Sequence, residues 1–279
     1  HKLLDSAREK TAGKIGTTHM GLGPVYTDKT ARVGIKMIDL YHPKTFRQKL
    51  EANLAEKTFL LRKYYGMKTA GLKGIYENYV KAAAKLREFV ADTAVIVNRA
   101  LDRGEKVLFE GAQGAMLDVD FGTYPFVTSS NTISGGACTG AGVGPAKAGR
   151  VLGIAKAYVT RVGGGPFPTE IAGTLQDVLR EKGGEYGATT GRPRRCGWFD
   201  VPAFKRAAMV NGLSSTALMK MDVMDFLKEI KICTAYRYKG RIYTEFPNSI
   251  EVLEGCKPVY ETHPGWLCDL SKVKRYAGL

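Results

Sequence analysis

The spacing of apolar residues switches repeatedly along this chain, and no other feature limits its fold as much. Short apolar runs at residues 107–109, 151–162 and 216–221 read as strands, and stretches of helical spacing lie between them. Strands that alternate with helices lead to an α/β sheet with crossover connections. The helical stretches are residues 1–12, where Leu3, Leu4 and Ala7 share a side, then about 46–65, about 76–102 and 201–211. In the longest of these, Tyr79, Leu86, Phe89, Val90, Val97 and Leu101 fall near helical spacing and are expected in the core, with Gly104 placed to end the helix. Runs at 230–236 and 241–246 flank Lys239-Gly240, a hairpin signal. No repeat, low-complexity tract or linker interrupts the pattern. The expected architecture is one α/β domain over residues 1–279: a large central, mostly parallel sheet flanked by helices, with accessory antiparallel hairpins.

A hydrophobic content of 44% is enough for a sizeable core. No apolar run approaches the ~20 residues a membrane span needs; residues 94–97 are cut off by Asn98 and Arg99. The chain opens at His1 without a Met, inside a helix-like stretch, which suggests a start within a longer protein. Lys and Arg number 42 against 27 Asp and Glu, a net charge of +15. Such an excess suits nucleic acid, an anionic membrane face or phosphorylated small molecules. The only tight basic cluster, residues 192–195, sits in a glycine-bounded loop, which favours a local phosphate or carboxylate site over a duplex-binding face. The five cysteines (138, 196, 233, 256 and 268) make no C-x-x-C pair, and the four histidines are scattered, so neither a zinc site nor a disulfide framework is indicated. Reduced thiols in a cytosolic protein are the plain reading.

Glycine- and hydroxyl-rich loops carry the chemistry, because glycine lets backbone amides approach an anion and Ser or Thr adds donors. Four stand out: residues 16–24, residues 110–114 directly after an apolar run, residues 122–131, and residues 187–195. In the last, Arg192 and Arg194 flank Pro193 and offer planar forks for carboxylates or phosphates. Lys220-Met221-Asp222 ends the 216–219 run. A carboxylate there can accept from guanine N1–H and the 2-amino group, a donor pair that adenine lacks. The chain contains no G-x-x-x-x-G-K-[ST] and no G-x-G-x-x-G opening a helix.

In order and spacing, these stretches resemble the adenylosuccinate synthetase family over essentially the whole chain. The resemblance rests on KIGTT from Lys14 with GLGP from Gly21, FEGAQG from Phe109, DFGTYPFVTSSNT from Asp120, KAYVTRVGGGPFPTE from Lys156, EYGATTGRPRRCGW from Glu185, KMDV from Lys220 and YETHPGW from Tyr260. After Gly-Thr-Thr the family usually carries basic residues, where His19-Met20 stands in this chain.

The resemblance implies a single α/β catalytic domain of P-loop-NTPase-like, GTP-binding architecture, incomplete at both ends in these 279 residues. It implies joining of L-aspartate to IMP with GTP as co-substrate, through a 6-phosphoryl-IMP intermediate, giving adenylosuccinate, GDP and phosphate on the way to AMP. Mg²⁺ would bridge phosphates and aspartate, with no metal ligand assigned in this chain. Carried over by motif, Thr18 and Thr128 hold the IMP phosphate, Gln113 reaches the hypoxanthine edge as the catalytic-site residue, and Val162 contacts the ribose. Arg32 crosses a homodimer interface into the partner's IMP site. Ala188, Thr189, Thr190, Gly191, Arg192, Pro193 and Arg194 form the aspartate loop, with Arg192 also on the IMP ribose and Arg194 also on GTP. Lys220, Met221 and Asp222 read the guanine. The family's phosphate-binding loop and main acid–base residues would precede His1, and part of its guanine site would follow Leu279. These residues alone are therefore expected to bind nucleotide without ligase activity. A cytoplasmic enzyme is expected, with no nucleic-acid or membrane partner. A non-catalytic IMP-binding fragment is the alternative, and nucleic-acid binding, which rests on charge alone, ranks third.

Overall fold

A computed structural model of the chain describes residues 1–11, 15–69, 71–188 and 190–273. Two compact units make it up, His1–Val107 and Leu108–Leu279.

The first unit is helical: α1 (Lys2–Arg8), α2 (Leu22–Thr30), α3 (Pro43–Phe59), α4 (Leu72–Leu86) and α5 (Thr93–Asp102). Pro43 opens α3, where a missing N–H costs nothing, and α3 runs on into a wider turn at Leu60–Tyr64. Leu4, Ala7, Phe46, Leu50, Leu61 and Ala83 form its interior, and the Phe46 ring stacks on Tyr76 at 5.2 Å. The buried Asp28 carboxylate is matched by Lys57 Nζ at 2.7 Å, as a charge out of water requires.

The long helical stretch expected over 76–102 is two helices. Val90 is extended, and Asp92 restarts the helix as an N-cap whose carboxylate accepts from Val95 N–H at 3.3 Å. Gly104 does end it, at φ +76°, with Gly104 N–H on Leu101 O and Glu105 N–H on Ala100 O, both 3.0 Å. That pair of bonds closes the last carbonyls around a left-handed residue. The stripe assigned to the core is not there: Tyr79, Leu86 and Phe89 are exposed, Phe89 at 73%, and Val90, Val97 and Leu101 are half-buried. α4 packs mainly on α3 and the turn at Met37–Tyr41. Along α4 the small Ala83 is the buried residue, and Tyr79 meets Phe46 at 6.5 Å while staying 55% exposed. Spacing alone cannot report whether a layer exists to cover a face.

The second unit contains α6 (Gly135–Ala141), β1 (Leu152–Lys156), β2 (Val159–Arg161), α7 (Thr174–Gly183), β3 (Arg195–Gly197), β4 (Phe199–Asp200), α8 (Val201–Asn211), β5 (Ser215–Met219), β6 (Glu229–Tyr238), β7 (Arg241–Tyr243), α9 (Ile250–Gly255) and β8 (Lys257–Pro264). This is the mixed α/β class that the alternation requires. β1 pairs parallel with β5, and β4 parallel with β6. β2–β3, β6–β7 and β6–β8 are antiparallel. Among the described residues, the strands fall into sheets of two, two and four. The hairpin turns at Lys239 (φ +46°) and Gly240 (φ +77°), both central residues left-handed as the strand twist demands. Asp200 caps α8 through Ala203 N–H at 3.1 Å, with Pro202 in the first turn. The core gathers Tyr158, Ile171, Leu179, Cys196, Trp198, Val223, Met224, Leu227 and Ile230.

Two strand expectations need correction. The 151–162 run is two strands in different sheets, parted at Ala157 and the fully buried Tyr158. Residues 107–109 form no strand, and Leu108 is 90% exposed. An apolar run becomes a strand only where a ladder takes up its backbone groups, and none of the described residues offers one. The β1–β5 ladder likewise leaves Leu152, Ile154, Leu218 and Met219 open, Ile154 at 69%.

Candidate functional site

In the first unit, α1 shapes the loop that carries Thr18. Glu9 accepts from Ile15 N–H at 3.1 Å and from Gly16 N–H at 2.9 Å. Asp5 accepts from the Thr17 hydroxyl at 3.0 Å and from Gly21 N–H at 2.8 Å. Thr17 is thereby committed to the scaffold while Thr18 faces solvent. Gly21 cannot be replaced easily: at φ +81°, a Cβ would stand 2.7 Å from Lys2 N. Arg32 follows α2 at φ +66° and is exposed.

In the second unit, a buried carboxylate builds the loop that bears Thr128. Asp118 accepts from Asp120 and Phe121 N–H, both 3.0 Å, and from Thr132 N–H at 2.7 Å and Ile133 N–H at 3.3 Å. Burial alone would raise its pKa, but these four backbone donors outweigh burial and hold it below the ordinary value. Both ends of the loop are thus tied to one side chain. Gln113, itself left-handed at φ +72°, projects from the 110–114 loop and donates from Nε2 to Thr128 Oγ1 at 3.3 Å. Its Oε1 accepts from the Ser130 hydroxyl at 3.5 Å. Two loops read separately from sequence therefore meet through their expected ligand residues. Val162 directly follows β2, and Arg161 beside it donates to Thr123 Oγ1 and Phe126 O, both 3.0 Å, tying β2 to the same loop.

The arginine loop is a closed turn. Gly187 N–H bonds Arg192 O at 2.8 Å and Gly191 N–H bonds Gly187 O at 2.7 Å, with a bridge from Tyr186 to Pro193 below. Ala188 and Thr190 are exposed and Arg192 is half-buried; Thr189 lies outside the described residues. Arg194 turns back onto Glu185, Nη1 to Oε2 at 2.6 Å. Glu185 is fully buried. Its Oε1 also accepts from the Tyr158 hydroxyl at 2.7 Å and Lys156 Nζ at 2.9 Å, and Lys220 Nζ lies 3.7 Å away. Burial would raise the Glu185 pKa, yet the bonds from Tyr158, Lys156 and Arg194 and the charge of Lys156 prevail and hold it at about 2. Lys220 sits at φ +60° and donates to Gly183 O. Met221 is half-buried, and Asp222 is exposed with no cap bond to the short turn it begins. The carboxylate is thus not committed to capping.

Reading from sequence assigned no role to Asp5, Glu9, Asp118, Lys156, Tyr158 or Glu185. The available signal was thin: Glu185 is a lone acid between Gly183-Gly184 and a loop holding three arginines. Among the described residues, no three His, Cys, Asp or Glu side chains converge to hold a metal, and no helix is long and apolar enough to cross a membrane.

Hydroxyls and an amide meet at Gln113, and cations are grouped at Arg194 and Lys220, on connecting segments of an α/β protein. A family model described as adenylosuccinate synthetase matches residues 1–279. The adenylosuccinate synthetase of Thermodesulfovibrio yellowstonii is 50% identical over 279 residues, covering 100% of this chain and 65% of the relative. That of Geobacillus kaustophilus is 52% identical over 276 residues, covering 98% and 64%. A structure described as fully ligated adenylosuccinate synthetase from Plasmodium falciparum superposes with a TM-score of 0.92 at 38% identity, covering 100% of this chain and 67% of that one. The chain belongs to the adenylosuccinate synthetase family, and it spans about 65% of the length of its curated relatives.

Proposed function

We propose that this protein joins L-aspartate to IMP at the expense of GTP, releasing adenylosuccinate, GDP and phosphate, as a cytoplasmic homodimer in AMP synthesis. The observation that carries the reading is the contact of Gln113 Nε2 with Thr128 Oγ1 at 3.3 Å. It puts an amide, suited to the 6-oxo edge of hypoxanthine, beside a hydroxyl loop suited to a phosphate, on two segments 15 residues apart. In this proposal residues 1–279 serve as one catalytic domain. Thr18, Thr128, Gln113, Val162, Arg32 and Arg192 bind IMP, residues 188–194 receive aspartate, and Arg194 with residues 220–222 receives GTP.

The reaction runs in two displacements. The 6-oxygen of IMP attacks the γ-phosphorus of GTP and GDP leaves. The aspartate amine then attacks C6, and the C6–O bond breaks as phosphate departs. The chain's own contribution is positioning and charge, which supply most of the acceleration in phosphoryl transfer. Mg²⁺ would add neutralisation of phosphate charge when bound. The described residues supply no three-ligand group for it, so no step is assigned to it on this chain.

The test is formation of adenylosuccinate by the full-length protein from IMP, aspartate and GTP. Product should require all three and fail with ATP. Binding of IMP with no product under any nucleotide would leave a nucleotide-binding protein and overturn the ligase reading. Gln113→Ala should lower kcat/KM for IMP by about 1.5 kcal/mol or more, the worth of a specific hydrogen bond at a reacting centre.

A further inference from the structure

Glu185 is a fully buried carboxylate that reaches both the aspartate loop and the guanine segment of the proposed site. Its Oε2 holds Arg194 of the aspartate loop at 2.6 Å, and its Oε1 lies 3.7 Å from Lys220 of the guanine segment. The anchoring extends to the backbone. Arg194 N–H donates to Glu185 O at 2.9 Å, and Arg180 Nε donates to Arg194 O at 2.9 Å. Lys220 is fastened a second time, to Gly183 O two residues before Glu185. The position admits little else: a Cβ on Gly183 would come 2.3 Å from the Tyr158 hydroxyl and 3.1 Å from Glu185 Cγ.

Charge counting gives the cluster a direction. Lys156, Arg194 and Lys220 carry three positive charges around one carboxylate. Cations thus outnumber the carboxylate at Glu185 itself. A site of that kind attracts anions, and both aspartate and the GTP phosphates are anionic. The carboxylate also fixes where those charges sit, since a guanidinium held by one edge presents the other edge outward.

We propose that Glu185 is a positioning residue that sets Arg194 and Lys220 together, and so couples the aspartate site to the GTP site. This rests on the ligand assignments of the preceding section. Ordering either cation by its own ligand then lowers the cost of ordering the other, through the one carboxylate they share.

The experiment is steady-state kinetics on the full-length protein carrying Glu185→Gln, with Glu185→Asp as a second variant and Tyr158→Phe as a control. Gln keeps the shape and drops the charge; Asp keeps the charge and withdraws it by one methylene. Either should raise KM for both aspartate and GTP by roughly tenfold, with KM for IMP within about twofold. Tyr158→Phe removes a bond to the same carboxylate and keeps its charge and both ion pairs, so it should raise the two KM values much less than Glu185→Gln does. In an Arg194→Lys background, Glu185→Gln should add no further rise in the aspartate KM. Unchanged aspartate and GTP KM in a folded variant, an equal rise for all three substrates, or full additivity with Arg194→Lys would each overturn the proposal. A readout independent of turnover is the Arg194 side-chain N–H signal in NMR of the ligand-free protein. Loss of slowed guanidinium rotation in Glu185→Gln supports the positioning role even if the wild type forms no adenylosuccinate, a result that would sink only the functional reading. Free rotation in the wild type would sink the positioning role itself.

Discussion

In the proposed guanine site Asp222 decides base choice, and its exposure makes the test direct. Its carboxylate is exposed and caps nothing, so Asp222→Asn should leave the melting temperature within about a degree, as for most surface changes. Two charged hydrogen bonds to guanine are worth on the order of 3 kcal/mol together, over a hundredfold in affinity. The variant should therefore lose GTP use. It should gain XTP use, because an amide offers one donor and one acceptor to a base whose C2 carries oxygen. Kinetics with both nucleotides read this directly, and a variant that still prefers GTP removes Asp222 from the site. Glu185 gives a second residue-level expectation, in stability. Its folded pKa of about 2 lies below the ordinary 4.5, so its contribution is fully present above about pH 4.5 and is lost as pH falls towards 2. The shift corresponds to on the order of 3 kcal/mol. Urea unfolding followed from pH 6 down to pH 3 should show a steeper loss for wild type than for Glu185→Gln; parallel curves would deny the carboxylate its ion pairs.

At the scale of elements, what was legible in the sequence was whatever local chemistry decides alone. The β6–β7 hairpin was readable because Lys239-Gly240 can take two left-handed residues, and α8 from the helical spacing over 201–211, whose start Asp200 caps. The break between α4 and α5 was written in Asp92 but masked by apolar spacing that runs through it. The site was half legible. Glycine-rich loops marked the segments that hold Gln113, Thr128 and Arg194, whose roles came from the family resemblance. Glu185 carried no local mark because Lys156, Tyr158 and Arg194 lie in other segments, and Asp118 was missed although Asp120 and Phe121, two of its four donors, are only two and three residues away. The hairpin also supplies a clean measurement. A Cβ on Gly240 would meet nothing within 4 Å, so its φ of +77° is the only obstacle to a side chain. Gly240→Ala should cost about 1 kcal/mol by backbone strain alone, seen as a lower urea midpoint with unchanged slope. A neutral result would mean the turn relaxes out of its left-handed form.

For the molecule as a whole, the homodimer is a proposal that complementation can decide. Arg32 is exposed at a left-handed turn after α2, a place from which a guanidinium can reach another subunit. Mixed dimers of Arg32→Leu and Gln113→Ala should exceed the activity of either variant alone, since one of the two sites then receives both wild-type residues. No recovery where subunit exchange is demonstrated would place Arg32 outside the partner's site. The open faces of the β1–β5 ladder have a consequence of another kind, in time. β6 pairs with β8 from Glu229 to Arg237, with β4 at Ile232 and Cys233 and with β7 at Tyr236–Tyr238, and Ile230, Cys233, Ala235 and Tyr236 are buried along it. Among the described residues, β1 and β5 pair only with each other, and Ile154 and Leu218 are exposed. Opening a ladder costs what its side chains bury. Deuterium should therefore enter the amides of Leu152–Lys156 and Ser215–Met219 long before those of β6, so that the strand leading into the Lys220 segment breathes while the strand beneath Asp200 stays shut.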